Sequence, residues 1–171
     1  MTPIPLAVFL PAGAKGDPVM LVSGDPAPGL VEDVKKCISQ GRSVAVAQLR
    51  GFGATAKGRY SFYGSKRPDE EMAVMAITVG QNFAARRAED AAIAARHFAS
   101  MAGAERVALV AHGAAAIPAA HAFFLERGIF SSFSTKKPPP SWREVVNRPE
   151  LHCAFADVVL GALKVYDWTD L

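Results

Sequence analysis

The stretch Ala111-His112-Gly113-Ala114-Ala115 sets a titratable imidazole beside a glycine, among small residues. An apolar run at 107–111 leads into it and an alanine-rich segment at 114–126 follows, so the stretch reads as a strand bending sharply into a helix. Small residues at such a bend let backbone segments approach closely, and in enzymes built this way a Ser, Cys or Asp stands at the strained tip. Here the tip is Gly113, which has no side chain to attack a carbonyl. His112 is then the best-placed acid–base candidate, although an ordinary packed or surface histidine is the favoured reading for it, as for His97, His121 and His152. No Asp, Glu, His or Cys group shows metal-ligand spacing, and Cys37 and Cys153 read as small buried apolar residues rather than a disulfide or zinc pair.

A second polar turn, Arg50-Gly-Phe-Gly53, follows the apolar run at 43–49. Arg50 with its glycines could line a phosphate or carboxylate; the plainer reading leaves it solvated or paired with Asp90. No βαβ dinucleotide fingerprint surrounds the Gly-x-Gly, so no cofactor is expected there. Asp69-Glu70-Glu71 reads as an acidic first helical turn, and Lys136-Lys137 as a solvated loop.

These residues need a frame. The runs at 6–10 and 18–23 read as strands, 31–39 as a helix, 43–49 as a doubly covered strand, and 60–67 as a loop. Helices follow at about 70–79 and, amphipathic over several turns, at 81–101, where Arg86 and Asp90 form an i, i+4 pair. The buried strand at 106–111, the helix at 114–126 and a last strand at 129–135 complete an alternation that implies a mostly parallel sheet with helices on both faces. Lys136-Lys-Pro-Pro-Pro140 is a stiff spacer, Ser141-Trp-Arg-Glu144 has capping-box spacing, and 151–171 carries apolar residues at helical spacing.

Two motifs carry a resemblance. Ala111-His112-Gly113-Ala114-Ala115 resembles the α/β-hydrolase elbow, small-His-nucleophile-x-small, with Gly113 in the nucleophile's place. Gln48-Leu-Arg-Gly-Phe-Gly53 resembles that fold's Asp-x-Arg-Gly-x-Gly loop, with Gln48 replacing the acid. The tail from Trp142-Arg-Glu-Val-Val to Val165-Tyr-Asp-Trp-Thr-Asp-Leu is similar to the hydrolase-like C-terminal domains of bacterial acetyl xylan esterase-like proteins. The resemblance implies the first three-quarters of such a fold, ending before the two strands whose loops carry the triad acid and histidine. It also implies that the N–H of Ala114, with one from the Gly24-Asp25 turn, could hold an anion, and that Ser23 ends the strand beside the elbow. Ser23 or a water as nucleophile, His112 as base and Asp25 as its orienter would then form a non-standard site.

With 171 residues, half of them apolar, and a net charge of +3 from scattered basic residues, the chain is expected to be one globular domain with no nucleic-acid partner. No apolar run approaches the ~20 residues that cross a bilayer and no export signal is visible, so a soluble cytoplasmic chain without a membrane partner is expected. The expected class is α/β, three-layered, with about five or six strands over 1–171. The function implied is a degenerate α/β-hydrolase-like domain serving as a structural, binding or interaction module. The alternative is a small ester or lactone hydrolase using Ser23, Asp25 and His112. Gly24, Gly113, Ala114 and Arg50 are the expected contacts for a small ester, lactone or carboxylate. An open sheet edge predicts a homodimer, or cover from the tail at 142–171.

Overall fold

The computed structural model describes residues 3–24, 28–56, 68–148 and 150–171. Five strands, β1 (Leu6–Phe9), β2 (Val19–Ser23), β3 (Val44–Ala47), β4 (Val107–His112) and β5 (Phe130–Lys136), form one sheet in the order β1-β3-β2-β4-β5. β1 runs antiparallel to β3, and every other pairing is parallel. Parallel neighbours need crossover connections, and the helices supply them. These are α1 (Pro28–Ser39), α2 (Pro68–Thr78), α3 (Phe83–Ala102) and α4 (Ala116–Leu125), while α5 (Trp142–Asn147) follows the last strand.

The alternation of side chains across the strands divides the core in two. Val19, Leu21, Val44 and Ala108 face α1, meeting Leu30, Val34 and Cys37. Met20, Val22, Ala45, Ala47, Leu109 and Ala111 face the opposite layer, meeting Ala91, Ala95 and Phe98 of α3 and Ile117 and Ala120 of α4. That is the three-layer α/β arrangement. α3 starts on the Asn82 side chain, which accepts the Ala85 N–H at 2.9 Å. α2 begins at Pro68, two residues before the expected start, because proline's fixed φ suits the first helical position. The capping box at Ser141 and Glu144 forms as its spacing predicts.

Three expectations are corrected. The tail at 151–171 is not a helix: it forms three short 3₁₀ turns, Phe155–Asp157, Ala162–Lys164 and Trp168–Asp170, separated by extended residues at Val158 and Asp167. Its apolar residues recur at helical spacing because the turns pack onto helices already there, the first onto α2 and α3 and the last onto α4. Arg86 does not pair with Asp90; it reaches Glu89 at 2.8 Å, while Asp90 is buried and turned toward the sheet. Cys153 is half-buried rather than buried, and burial pushes its thiol up to about 11. The loop expected at 60–67 lies outside the described residues.

The tail is fastened by polar contacts as well as packing. Asp167, almost wholly buried, accepts the backbone N–H groups of Trp142, Arg143 and Trp168. Burial raises its pKa, but those N–H groups and the Ser141 hydroxyl outweigh it and hold the carboxyl below its usual range. On α4, the His121 Nδ1–H donates to the Ile117 carbonyl at 2.8 Å, which leaves Nε2 to accept the Tyr166 hydroxyl at 2.9 Å. Burial lowers the His121 pKa and raises that of Tyr166.

Candidate functional site

Gly113 stands where β4 turns into the 3₁₀ turn Gly113–Ala115 that opens α4, with φ +58°. A side chain there would be strained by about 1–2 kcal/mol, yet a Cβ would meet nothing within 4 Å. The tip of the bend is open space without a functional group. Gly24 approaches it from β2: its N–H donates to the His112 carbonyl at 3.3 Å, and a Cβ on it would lie 3.1 Å from the Ala114 Cβ and 3.3 Å from the Ala115 nitrogen. A side chain at Gly24 would crowd both neighbours.

His112 belongs to the other side of the sheet. Along β4 the residues at 108, 110 and 112 share the α1 face, and the imidazole lies buried under α1. Its Nε2 is 2.9 Å from Asp33 Oδ2, off the line of a hydrogen bond, and Lys136 from the end of β5 pairs with the other Asp33 oxygen. A carboxylate that meets His112 is Asp33 of α1; the expected partner Asp25 lies outside the described residues. Ser23 is the register partner of His112 on the adjacent strand, on the same α1 face by alternation. The sheet thus brings Ser23 and His112 side by side, but facing α1 rather than the bend.

Arg50 is committed within the protein. Its guanidinium holds both oxygens of the buried Asp90, at 2.7 and 2.5 Å, and its backbone N–H adds a third bond at 3.1 Å. The Asp90 hydrogen bond, the largest effect, raises the Arg50 pKa further. Next to it is Arg87, with no exposed surface. It donates to the Arg50 carbonyl at 2.9 Å, to Asp157 at 2.6 Å and to Asp69 at 3.1 Å, and stacks over Phe52 and Phe83 with centroid distances of 3.8 and 4.7 Å. One buried cation therefore ties the loop after β3, α2, α3 and the tail together. The sequence carried a signal for it: Arg87 lies three residues after Ala84 and four before Ala91, on the apolar stripe of α3 where a charge needs a partner. Asp90 falls on the same stripe. Asp33 had no such signal, because its meeting with His112 depends on how α1 crosses the sheet.

Among the described residues, no three His, Cys, Asp or Glu side chains gather as metal ligands, and no helix is long and apolar enough to cross a membrane. Gly24 packs against Ala114 and Ala115 beside the open tip at Gly113, and these small residues bring no side-chain nucleophile, base or acid to the bend.

No protein-family model matches this chain, and no curated protein does. Solved structures do resemble it, among them the N-formylmaleamic acid deformylase of Pseudomonas putida S16, at 19% identity and TM-score 0.50. A carboxylesterase structure from Nitrososphaera gargenis matches at 13% identity and an α-β serine hydrolase homologue from Coxiella burnetii at 14%, each with TM-score 0.50. Each alignment covers 80% of this chain but only 43%, 42% and 58% of the three structures respectively. The chain spans about half the length of the proteins it resembles. At such identities the likeness establishes a fold: an α/β-hydrolase-like sheet of five strands, with the bend at Gly113 between β4 and α4.

Proposed function

We propose that this chain is an α/β-hydrolase-like domain without the standard hydrolytic chemistry, serving as a structural, binding or interaction module. The observation that carries the reading is the bend itself. Its tip is Gly113, where the backbone holds a left-handed φ of +58° and offers a carbonyl carbon nothing to react with. The nearby imidazole adds weight, because His112 lies on the α1 face against Asp33 and would have to leave a buried position to reach a substrate at the tip. The Ala114 N–H beside the tip suits an anionic oxygen but brings no attacking group, so binding of a small ester, lactone or carboxylate fits the site better than its turnover. The finer likeness, to acetyl xylan esterase-like C-terminal domains, rests on the tail motifs alone.

A panel of p-nitrophenyl acetate and lactones tests this, with wild type beside His112→Ala and Ser23→Ala. A wild-type rate equal to buffer is the expected result. Turnover that disappears in His112→Ala or Ser23→Ala would overturn the reading and establish a non-standard ester or lactone hydrolase on the α1 face.

A further inference from the structure

Between α5 and the tail lies a half-open apolar cavity of about 440 Å³, within the roughly 300–1,000 Å³ of small-molecule sites. Its walls include Trp142 of α5, Val159, Ala162 and Leu163, and none of its lining residues belongs to β2 or to the bend. Val146 at the lining is 69% exposed, so apolar surface is continuous from the interior to solvent. One charged side chain lines the cavity, Lys164, and no acid does. Four acids of α5 and the tail are engaged elsewhere. Glu144 accepts the Ser141 N–H, Asp157 holds Arg87, Asp167 caps α5, and Asp170 accepts the Asp167 N–H. Among the described residues Lys164 pairs with no carboxylate.

We infer that this cavity is a binding site for an amphiphilic monocarboxylate, whose hydrocarbon chain lies against Trp142, Val159, Ala162 and Leu163 and whose carboxylate meets the Lys164 ammonium. A hydrocarbon chain gains by leaving water, and a lone cation beside an acid-free apolar cavity selects an anionic head. The site stands apart from the bend at Gly113, so its failure and that of the proposed function are read separately.

The test is calorimetric titration of the whole chain with hexanoate, octanoate and decanoate, with octylammonium as the head-group control. Affinity should rise by up to about fourfold per added methylene, and octylammonium should not bind. Lys164→Gln should weaken octanoate by up to about fivefold. Val146→Glu, an exposed substitution that leaves packing alone, should weaken it by repulsion, and Val159→Trp should abolish it by filling the space. No saturable binding near about 1 mM, equal binding of octylammonium and octanoate, or an unchanged octanoate affinity in Val146→Glu overturns the inference. A dimer in sedimentation velocity that Val146→Glu disperses also overturns it, since this face would then belong to a second copy.

Discussion

Replacing Arg87 by Met removes the one cation that joins four parts of the chain and should do so at a large cost. The guanidinium has no exposed surface, and the Asp157 carboxylate it meets at 2.6 Å is only 2% exposed. Breaking a buried pair by removing one partner costs about 3–5 kcal/mol, because the remaining charge was desolvated on the assumption of a partner. The same change takes a donor from the Arg50 carbonyl and from Asp69. Against a total stability of about 5–15 kcal/mol, this is a third or more for a protein of middling stability. With a urea m-value of about 2 kcal/mol/M, the midpoint should fall by roughly 1.5–2.5 M. Urea unfolding followed by far-UV circular dichroism measures it. The double variant Arg87→Met with Asp157→Leu should recover part of the loss, since it removes the buried carboxylate that Arg87 met. A loss below about 1 kcal/mol for Arg87→Met, or a double variant no better than the single one, would refute the argument that this cation anchors the tail.

Gly24→Ala should destabilise by about 1–3 kcal/mol in urea unfolding, since its Cβ would press on the Ala114 Cβ at 3.1 Å and on backbone at 3.3 Å. Gly113→Ser, by contrast, meets no neighbour, so it should lose only the roughly 1–2 kcal/mol of left-handed strain. Its ester hydrolysis should stay at the buffer rate because His112 faces α1. His121 has a lowered pKa in the folded chain, so as pH falls below about 6.5 the unfolded state takes up a proton first and stability declines toward the folded value. Urea midpoints at pH 7.5 and pH 5.5 should separate less in His121→Gln than in wild type. Equal separation in the two proteins would contradict that assignment.

The layered fold was legible because burial on both faces leaves an unmistakable pattern, as in Val44-Ala-Val-Ala47 and in the alanine stripe of α3. The bend at Gly113 was legible for a related reason: a strand that runs into a helix across His112 and Gly113 alone has to turn on small residues. The partner of His112 was not. The resemblance pointed to Asp25, which lies outside the described residues, and nothing in the sequence pointed to Asp33, a contact fixed by the crossing of α1 over β4. The tail misled for another reason. Helical spacing arises wherever apolar residues face one surface, and 151–171 satisfies it with successive 3₁₀ turns laid across existing helices. Arg87 shows the converse: its place on an apolar stripe announced a buried pair, but no local rule named Asp157, 70 residues away, as its acceptor.

The central claim is that no nucleophile stands ready near the bend between β4 and α4. Incubation of the purified chain with a fluorophosphonate ester, followed by intact-mass measurement and peptide mapping, tests it at the level of the bond itself. Unmodified mass after prolonged exposure is the predicted outcome. A single phosphonyl adduct mapped to Ser23, and absent from His112→Ala, would contradict it.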